Sequence, residues 1–130
     1  MPDVNYYAVL VAALSSFMLG GLWYSPLMFL KPWLRANGWE GPRQGHPAKV
    51  FGLGILFSLI AAFTLAVWLG KNPPLDFALS RGAMAGFCFV STSFGINYQF
   101  AMRSTAMLLI DGGYHTLQFV LYGLILGLWH

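Results

Sequence analysis

Between Lys49 and Lys71 the chain reads VFGLGILFSLIAAFTLAVWLG, a run over residues 50–70 that contains no charged side chain. A helix needs about 20 such residues to cross the hydrocarbon core of a bilayer. Backbone groups inside lipid must pair within their own segment, so a continuously apolar run predicts a helix. This stretch therefore predicts a membrane-spanning helix, and the same pattern recurs elsewhere in the chain.

Three further stretches are long, apolar and bounded by charged or polar residues. The connections contain glycine and proline: NGWEGPRQGHP occupies residues 37–47, and Pro73 and Pro74 mark the next break. Pro26 and Pro32 are expected to end the first span or to kink its last turn. The predicted fold is an all-α membrane protein, a single domain over residues 1–130 that forms a four-transmembrane-helix bundle. The predicted spans are 5–30, 49–70, 79–101 and 105–129.

The composition supports a membrane protein. Hydrophobic residues make up 58% of the chain and charged residues 8%, whereas soluble domains carry about 25% charged residues. Seven basic and four acidic residues are too few for a water-soluble surface, which would expose large apolar patches. The lipid bilayer is therefore an expected partner. The basic residues flank the apolar stretches, as membrane topology requires, so nucleic acid is not an expected partner.

The basic residues also predict an orientation. Lys71 and Arg81 lie on one side of the predicted membrane. Five others lie on the opposite side, in the first and third loops: Lys31, Arg35, Arg43, Lys49 and Arg103. The positive-inside rule then places those two loops in the cytoplasm and both termini in the periplasm. The tryptophans, Trp33 among them, lie near the predicted interfaces as an aromatic belt.

Small residues recur at intervals of four, which places them on one face of a helix. Gly82 and Gly86 lie in the third span, Gly123 and Gly127 in the fourth, and Gly20 in the first. Membrane helices associate by close approach, so these glycines predict helix packing. Either a single bundle or a homo-oligomer would satisfy them.

The fourth span carries a polar stripe. At about 100° per residue, Asp111, His115, Gln118 and Tyr122 fall on one side of the helix. A charged Asp deep in a membrane costs about 2.5–3.5 kcal/mol on insertion scales. Protonation, pairing with His115 or a position near the cytoplasmic interface would each lower this penalty.

Other polar residues are expected at the same depth, because the ends of the first and third spans lie beside the start of the fourth. The residues expected beside Asp111 and His115 are Trp23, Tyr24, Ser25, Asn97, Tyr98 and Gln99. One interpretation is a ligand or proton site, with Asp111 as charge carrier, His115 as its partner, and Asn97 and Gln99 as hydrogen-bonding groups. The other is that these groups only tie helices together. The sequence leaves both open.

Catalytic chemistry is not expected. The chain has no phosphate-binding glycine loop, nucleophile elbow or paired carboxylates. His46, His115 and His130 are too scattered for a metal-ligand set, so no metal, haem or other cofactor is expected, and no enzyme activity. Small multidrug exporters have a similar size, but they carry a membrane-embedded Glu in the first helix, and this first span has no acid.

Several segments resemble a known family. They are VNYYAVLVAA at 4–13, LGGLWYSP at 19–26 with KPW at 31–33, DGGYH at 111–115 and GLILGLW at 123–129. Together they are similar to the bacterial domain-of-unknown-function-1761 family, in order and over the whole chain. The resemblance implies a four-helix bacterial inner-membrane protein and carries no activity or catalytic residues with it.

Two functions fit these observations. The first is a small homo-oligomeric transporter or channel-like protein with a polar intramembrane site near the cytoplasmic side, for which the Asp111 stripe is the argument. The second is a non-catalytic accessory or assembly subunit of a larger membrane complex, for which the minimal loops and the small residues on every helix are the argument.

Overall fold

The computed structural model describes residues 4–38 and 47–130, and both ranges contain helices and no strands. The all-α class is therefore confirmed for the described chain, while Arg43 and His46 lie outside it. The helices are α1 (Tyr6–Trp23), α2 (Leu30–Asn37), α3 (Pro47–Leu69), α4 (Leu75–Met84), α5 (Thr92–Phe100) and α6 (Thr105–Leu128). A π-helical segment, Ala85–Ser91, joins α4 directly to α5.

The first helix begins at a side-chain cap and ends earlier than the sequence predicts. The Asn5 side chain accepts hydrogen bonds from the first amides of α1, which stabilises that end. The helix stops at Trp23, before Pro26, because proline cannot donate to a helical hydrogen bond. The chain then turns into the short helix α2, whose first turn contains Pro32. The predicted span 5–30 therefore comprises one helix and a turn.

Two helices are long and apolar enough to cross a membrane: α1, and residues Ala48–Leu69 of α3. The third predicted span is divided among α4, the π segment and α5, of 10, 7 and 9 residues. The fourth, α6, has 24 residues, but its polar stripe lowers its apolar character. By length and composition, two of the four predicted spans qualify.

Helix α6 lies at the centre of the fold, where it packs against α1, α4, the π segment and α5, while α3 packs mainly on α1. Glycines bring α4 and α6 together. A Cβ atom added at Gly82 would collide with the carbonyl oxygen of Phe119, and one at Gly123 with that of Ala78. Gly86 and Gly127 lie in the same contact, and Gly20 of α1 lies against the ring of Tyr114. No side chain larger than hydrogen fits at Gly82 or Gly123.

The π segment corrects the register of the helix that faces α6. Gly82 and Gly86 face α6 at the usual interval of four residues, and Ser91, which donates a hydrogen bond to Gly112 of α6, follows five residues on. In a regular α-helix five residues turn through about 500°, so Ser91 would point about 140° away from Gly86. The wider π turn absorbs the extra residue. Tyr98, seven residues after Ser91, is thereby turned toward α6.

Candidate functional site

The carboxylate of Asp111 lies where four helices meet. It is 7% exposed, about two turns into α6. Its Oδ1 accepts hydrogen bonds from the hydroxyl of Tyr24 at 2.5 Å and from Nε1 of Trp33 at 3.0 Å. Its Oδ2 accepts one from the hydroxyl of Tyr98 at 2.5 Å. The end of α1, the helix α2 and the end of α5 are thus each tied to one buried carboxylate, which we call the Asp111 junction.

Aromatic rings surround the Asp111 junction. Nε1 of Trp23 donates to the carbonyl of Ile110 at 2.9 Å, which fixes its indole against α6. Gly113 makes room for that ring, since a Cβ there would lie 3.0 Å from it. The ring of Tyr24 packs edge-on against Trp33 with centroids 5.5 Å apart. The donors that reach Asp111 are therefore held by packing as well as by their hydrogen bonds.

A second polar network runs from α6 to α1. Nδ1 of His115 lies 2.6 Å from Oε1 of Gln118, and Nε2 of Gln118 donates to the hydroxyl of Tyr122 at 2.7 Å. The Tyr122 hydroxyl donates to Oγ of Ser16 at 3.1 Å, and Ser16 donates to the carbonyl of Ala13 at 2.7 Å. Along this series every hydrogen bond is donated in the same direction, from Gln118 toward the carbonyl of Ala13. Tyr122 and Ser16 are fully buried, so this network holds α6 to α1 inside the core.

The structure brings together part of the predicted cluster. Trp23, Tyr24, Tyr98 and Asp111 do meet at one depth. The predicted pairing of Asp111 with His115 is replaced: the Asp111 oxygens accept from tyrosine and tryptophan donors, and His115 bonds to Gln118.

Three other predicted members lie outside the Asp111 junction. Asn97 and Gln99 are exposed, because they flank Tyr98 and only one residue in such a triplet can face α6. Ser25 donates locally to the carbonyl of Leu22 at 2.6 Å. The two amides and this hydroxyl therefore do not complete a site around Asp111.

Trp33 and Ser16 were not predicted as site residues. Trp33 was interpreted as an interface residue, and the turn over 24–29 that folds α2 back onto α6 leaves no periodic signal. Ser16 lies four residues before Gly20, and at such a spacing a serine and a glycine are equally good packing residues. The segment KPW at 31–33 was the available signal for Trp33, since the indole N–H of a buried tryptophan usually finds a hydrogen-bond partner.

A groove of about 720 Å³ opens beside these networks, between α1, α3, the π segment and α6. Its polar lining comes from Tyr24, Tyr114, His115 and Gln118, with the hydroxyl of Ser58 on α3. The remaining lining is largely apolar and aromatic, including Phe17, Phe51, Phe57 and Phe119. An apolar cavity with a few convergent polar groups is the usual form of a small-molecule site.

The chain belongs to the family described as protein of unknown function (DUF1761), whose model matches residues 7–127. The match covers the Asp111 junction, the second network and the groove. Comparison with curated proteins finds no significant match, and neither does comparison with solved structures.

Proposed function

We propose that this member of the DUF1761 family is a four-pass protein of the bacterial cytoplasmic membrane that carries a small solute through its groove. Two helices already qualify as spans. At about 1.5 Å per residue, the 24 residues of α6 reach about 36 Å, and the unbroken series α4, π segment and α5 is of similar length. Both exceed the hydrocarbon core of about 30 Å.

The distribution of side chains supports four spans. Asp111, Gln118 and Tyr122 of α6 are buried, whereas Leu109 and Leu128 are exposed. Large exposed apolar residues also cover the outside of the other helices: Met18, Phe57, Trp68, Phe87, Phe89 and Ile96. Lipid solvates such a surface, and water does not. With Lys31, Arg35 and Arg103 near the Asp111 end, we place that end in the cytoplasm and both termini in the periplasm.

The single observation that carries the transport proposal is the groove, which has polar groups on its inner wall and apolar groups elsewhere. His115 and Gln118 lie on that wall midway along α6, where a solute crossing the membrane would need hydrogen-bonding partners. The Asp111 junction adjoins its cytoplasmic end through Tyr24, which contributes both to the groove lining and to the carboxylate.

The charge on Asp111 would link the hydrogen bonds of the Asp111 junction to access to the groove. A carboxylate makes charge-assisted hydrogen bonds that are about twice as strong as those of a neutral acid. Tyr24, Tyr98 and Trp33 each donate a hydrogen bond to it directly. Neutralising Asp111 weakens the ties to α1, α2 and α5 together. We propose that this loosening admits or releases the solute.

Reconstituted liposomes test this function. The full chain is placed in vesicles that contain a pH-sensitive dye, and a pH step is applied with long-chain alcohols, aromatic amines or quinones outside. We expect solute-dependent proton movement that Asp111→Asn reduces at least tenfold. Asp76→Asn, the same change at an exposed acid in the first turn of α4, is the matched control and should have no effect. Equal flux in wild type and Asp111→Asn, or none above empty vesicles, would contradict the proposal.

An accessory role remains the second candidate, because α3 and the π segment expose large aromatic side chains such as Phe57, Trp68 and Phe89. A larger partner protein could cover them as well as lipid does. Purification in mild detergent followed by native mass spectrometry separates the two. A homogeneous homo-oligomer supports the transporter, and a stoichiometric larger partner supports the accessory subunit.

A further inference from the structure

Two cavities adjoin along α3. The groove of about 720 Å³ is continued by a second cavity of about 320 Å³ that extends toward Trp68. Ala61, Val90 and Phe119 line both. Along α3 the combined space runs from Val50 to Trp68, about 27 Å at 1.5 Å per residue. One elongated molecule could therefore occupy both cavities.

The two cavities differ in chemistry. The first contains the polar groups of Tyr24, Tyr114, His115 and Gln118. The second is lined by aliphatic and aromatic side chains: Ala61, Leu65, Trp68, Ala85, Phe89, Val90 and Phe119. Its remaining member, Thr64, already donates its hydroxyl to the carbonyl of Ile60 at 2.8 Å. The hydrogen-bonding groups thus lie in the first cavity, which we call the polar end of the combined space, and the second cavity is its apolar end.

His115 defines what the polar end recognises. The Oε1 atom of Gln118 only accepts hydrogen bonds, so Nδ1 of His115 carries the proton that joins them. In the neutral ring, Nε2 is then an acceptor. Among the residues that the structure describes, Nε2 has no hydrogen-bond partner, and the ring is held in place by stacking on Phe94 with centroids 4.7 Å apart. A ligand at this point would donate a hydrogen bond.

We propose that the combined groove binds a single-chain amphiphile whose hydroxyl group donates to Nε2 of His115 and whose hydrocarbon chain runs toward Trp68. The inference rests on the proposed function, which puts the groove within the bilayer. The contrast between the hydrogen-bonding groups of the larger cavity and the apolar lining of the smaller one favours an amphiphilic chain over a helix from a second copy.

Photolabelling of the full chain in detergent tests this. The probe is a 16-carbon alcohol with a diazirine in mid-chain, and its matched control is the same chain without the hydroxyl. We expect saturable labelling of α3 and the π segment around Leu65, Trp68 and Phe89. The alcohol should bind about fivefold more tightly than the alkane, the difference that one hydrogen bond of about 1 kcal/mol produces.

Variants separate the polar end from the apolar end. His115→Phe keeps an aromatic ring on Phe94 and removes the acceptor, so it should lower alcohol affinity about fivefold to that of the alkane and leave the alkane unchanged. Ala61→Leu narrows the shared part of the groove and should reduce labelling by both probes. Phe87→Leu, at an exposed residue outside both cavities, should change neither. If Ala61→Leu does not fold, Val90→Phe narrows the opposite wall.

Equal affinity for the two probes, or an alcohol affinity that survives His115→Phe, would overturn the assignment of the polar end. Unsaturable labelling spread over exposed residues such as Ile96 would overturn the site itself. Saturable, His115-dependent labelling without flux in liposomes would keep this site and remove transport. Flux without saturable labelling would keep transport and remove this class of ligand.

Discussion

Replacing Tyr98 by Phe tests the Asp111 junction at one atom. The change removes the hydroxyl that donates to Oδ2 of Asp111 at 2.5 Å and keeps the ring. Tyr98 is 8% exposed and Asp111 7%, so water cannot readily replace the lost donor. Hydrogen bonds to charged groups contribute about 1.5–3 kcal/mol. We expect Tyr98→Phe to lower the free energy of unfolding by about 2 kcal/mol.

A double-mutant cycle assigns that loss to the carboxylate. In an Asp111→Asn background the same hydroxyl meets a neutral group, and its removal should cost about 1 kcal/mol. Circular dichroism during titration with a denaturing detergent, in mixed micelles, measures all four proteins. Tyr7→Phe removes a hydroxyl from a residue that is 74% exposed and should change stability by less than about 0.5 kcal/mol. Equal losses of stability for Tyr98→Phe and Tyr7→Phe, or the same loss for Tyr98→Phe in both backgrounds, would refute a hydrogen bond to a charged Asp111.

Two further pairs of variants test the packing of the same helices. Gly123→Ala puts a Cβ onto a carbonyl oxygen of α4, so the free energy of unfolding should fall by about 1–3 kcal/mol, measured by thermal or detergent denaturation. Gly21→Ala places its Cβ in open space and should not change that free energy. Equal stabilities of the two variants would refute the close contact. Deleting Cys88 turns the π segment into a regular helix with Tyr98 still facing α6, so stability should change by less than about 1 kcal/mol. Deleting Ser93 from α5 instead rotates Tyr98 by about 100° and should lose its bond to Asp111; the opposite ranking of the two deletions would refute the register argument.

Local chemistry made much of the fold predictable. Apolar runs without charge define helices whatever surrounds them, because the backbone must pair internally once it leaves water. Hence the breaks near Pro26 and Pro73, and the start of α6 near Ser104, follow from the residues themselves. The stripe on α6 is also a local property, since helical periodicity alone puts His115, Gln118 and Tyr122 on one side.

Partners across helices were less predictable, because they depend on rotations that no local period fixes. The level of each residue along the predicted bundle follows from loop order, and it placed Trp23, Tyr24 and Asp111 together. Depth does not determine which side chain of a neighbouring triplet points inward. Asn97, Tyr98 and Gln99 were therefore all predicted beside Asp111, and only Tyr98 reaches the carboxylate.

Apolar runs between charged residues by themselves determined where the long helical stretches lie, their order and the level at which polar groups gather. Only the tertiary structure decided that α2 folds back to bring Trp33 to Asp111, and that one π turn rotates Tyr98 to the same carboxylate. The physical reason is range. Helix formation depends on residues within a few turns of one another, whereas a hydrogen bond between Trp33 and Asp111 depends on the packing of every helix between them.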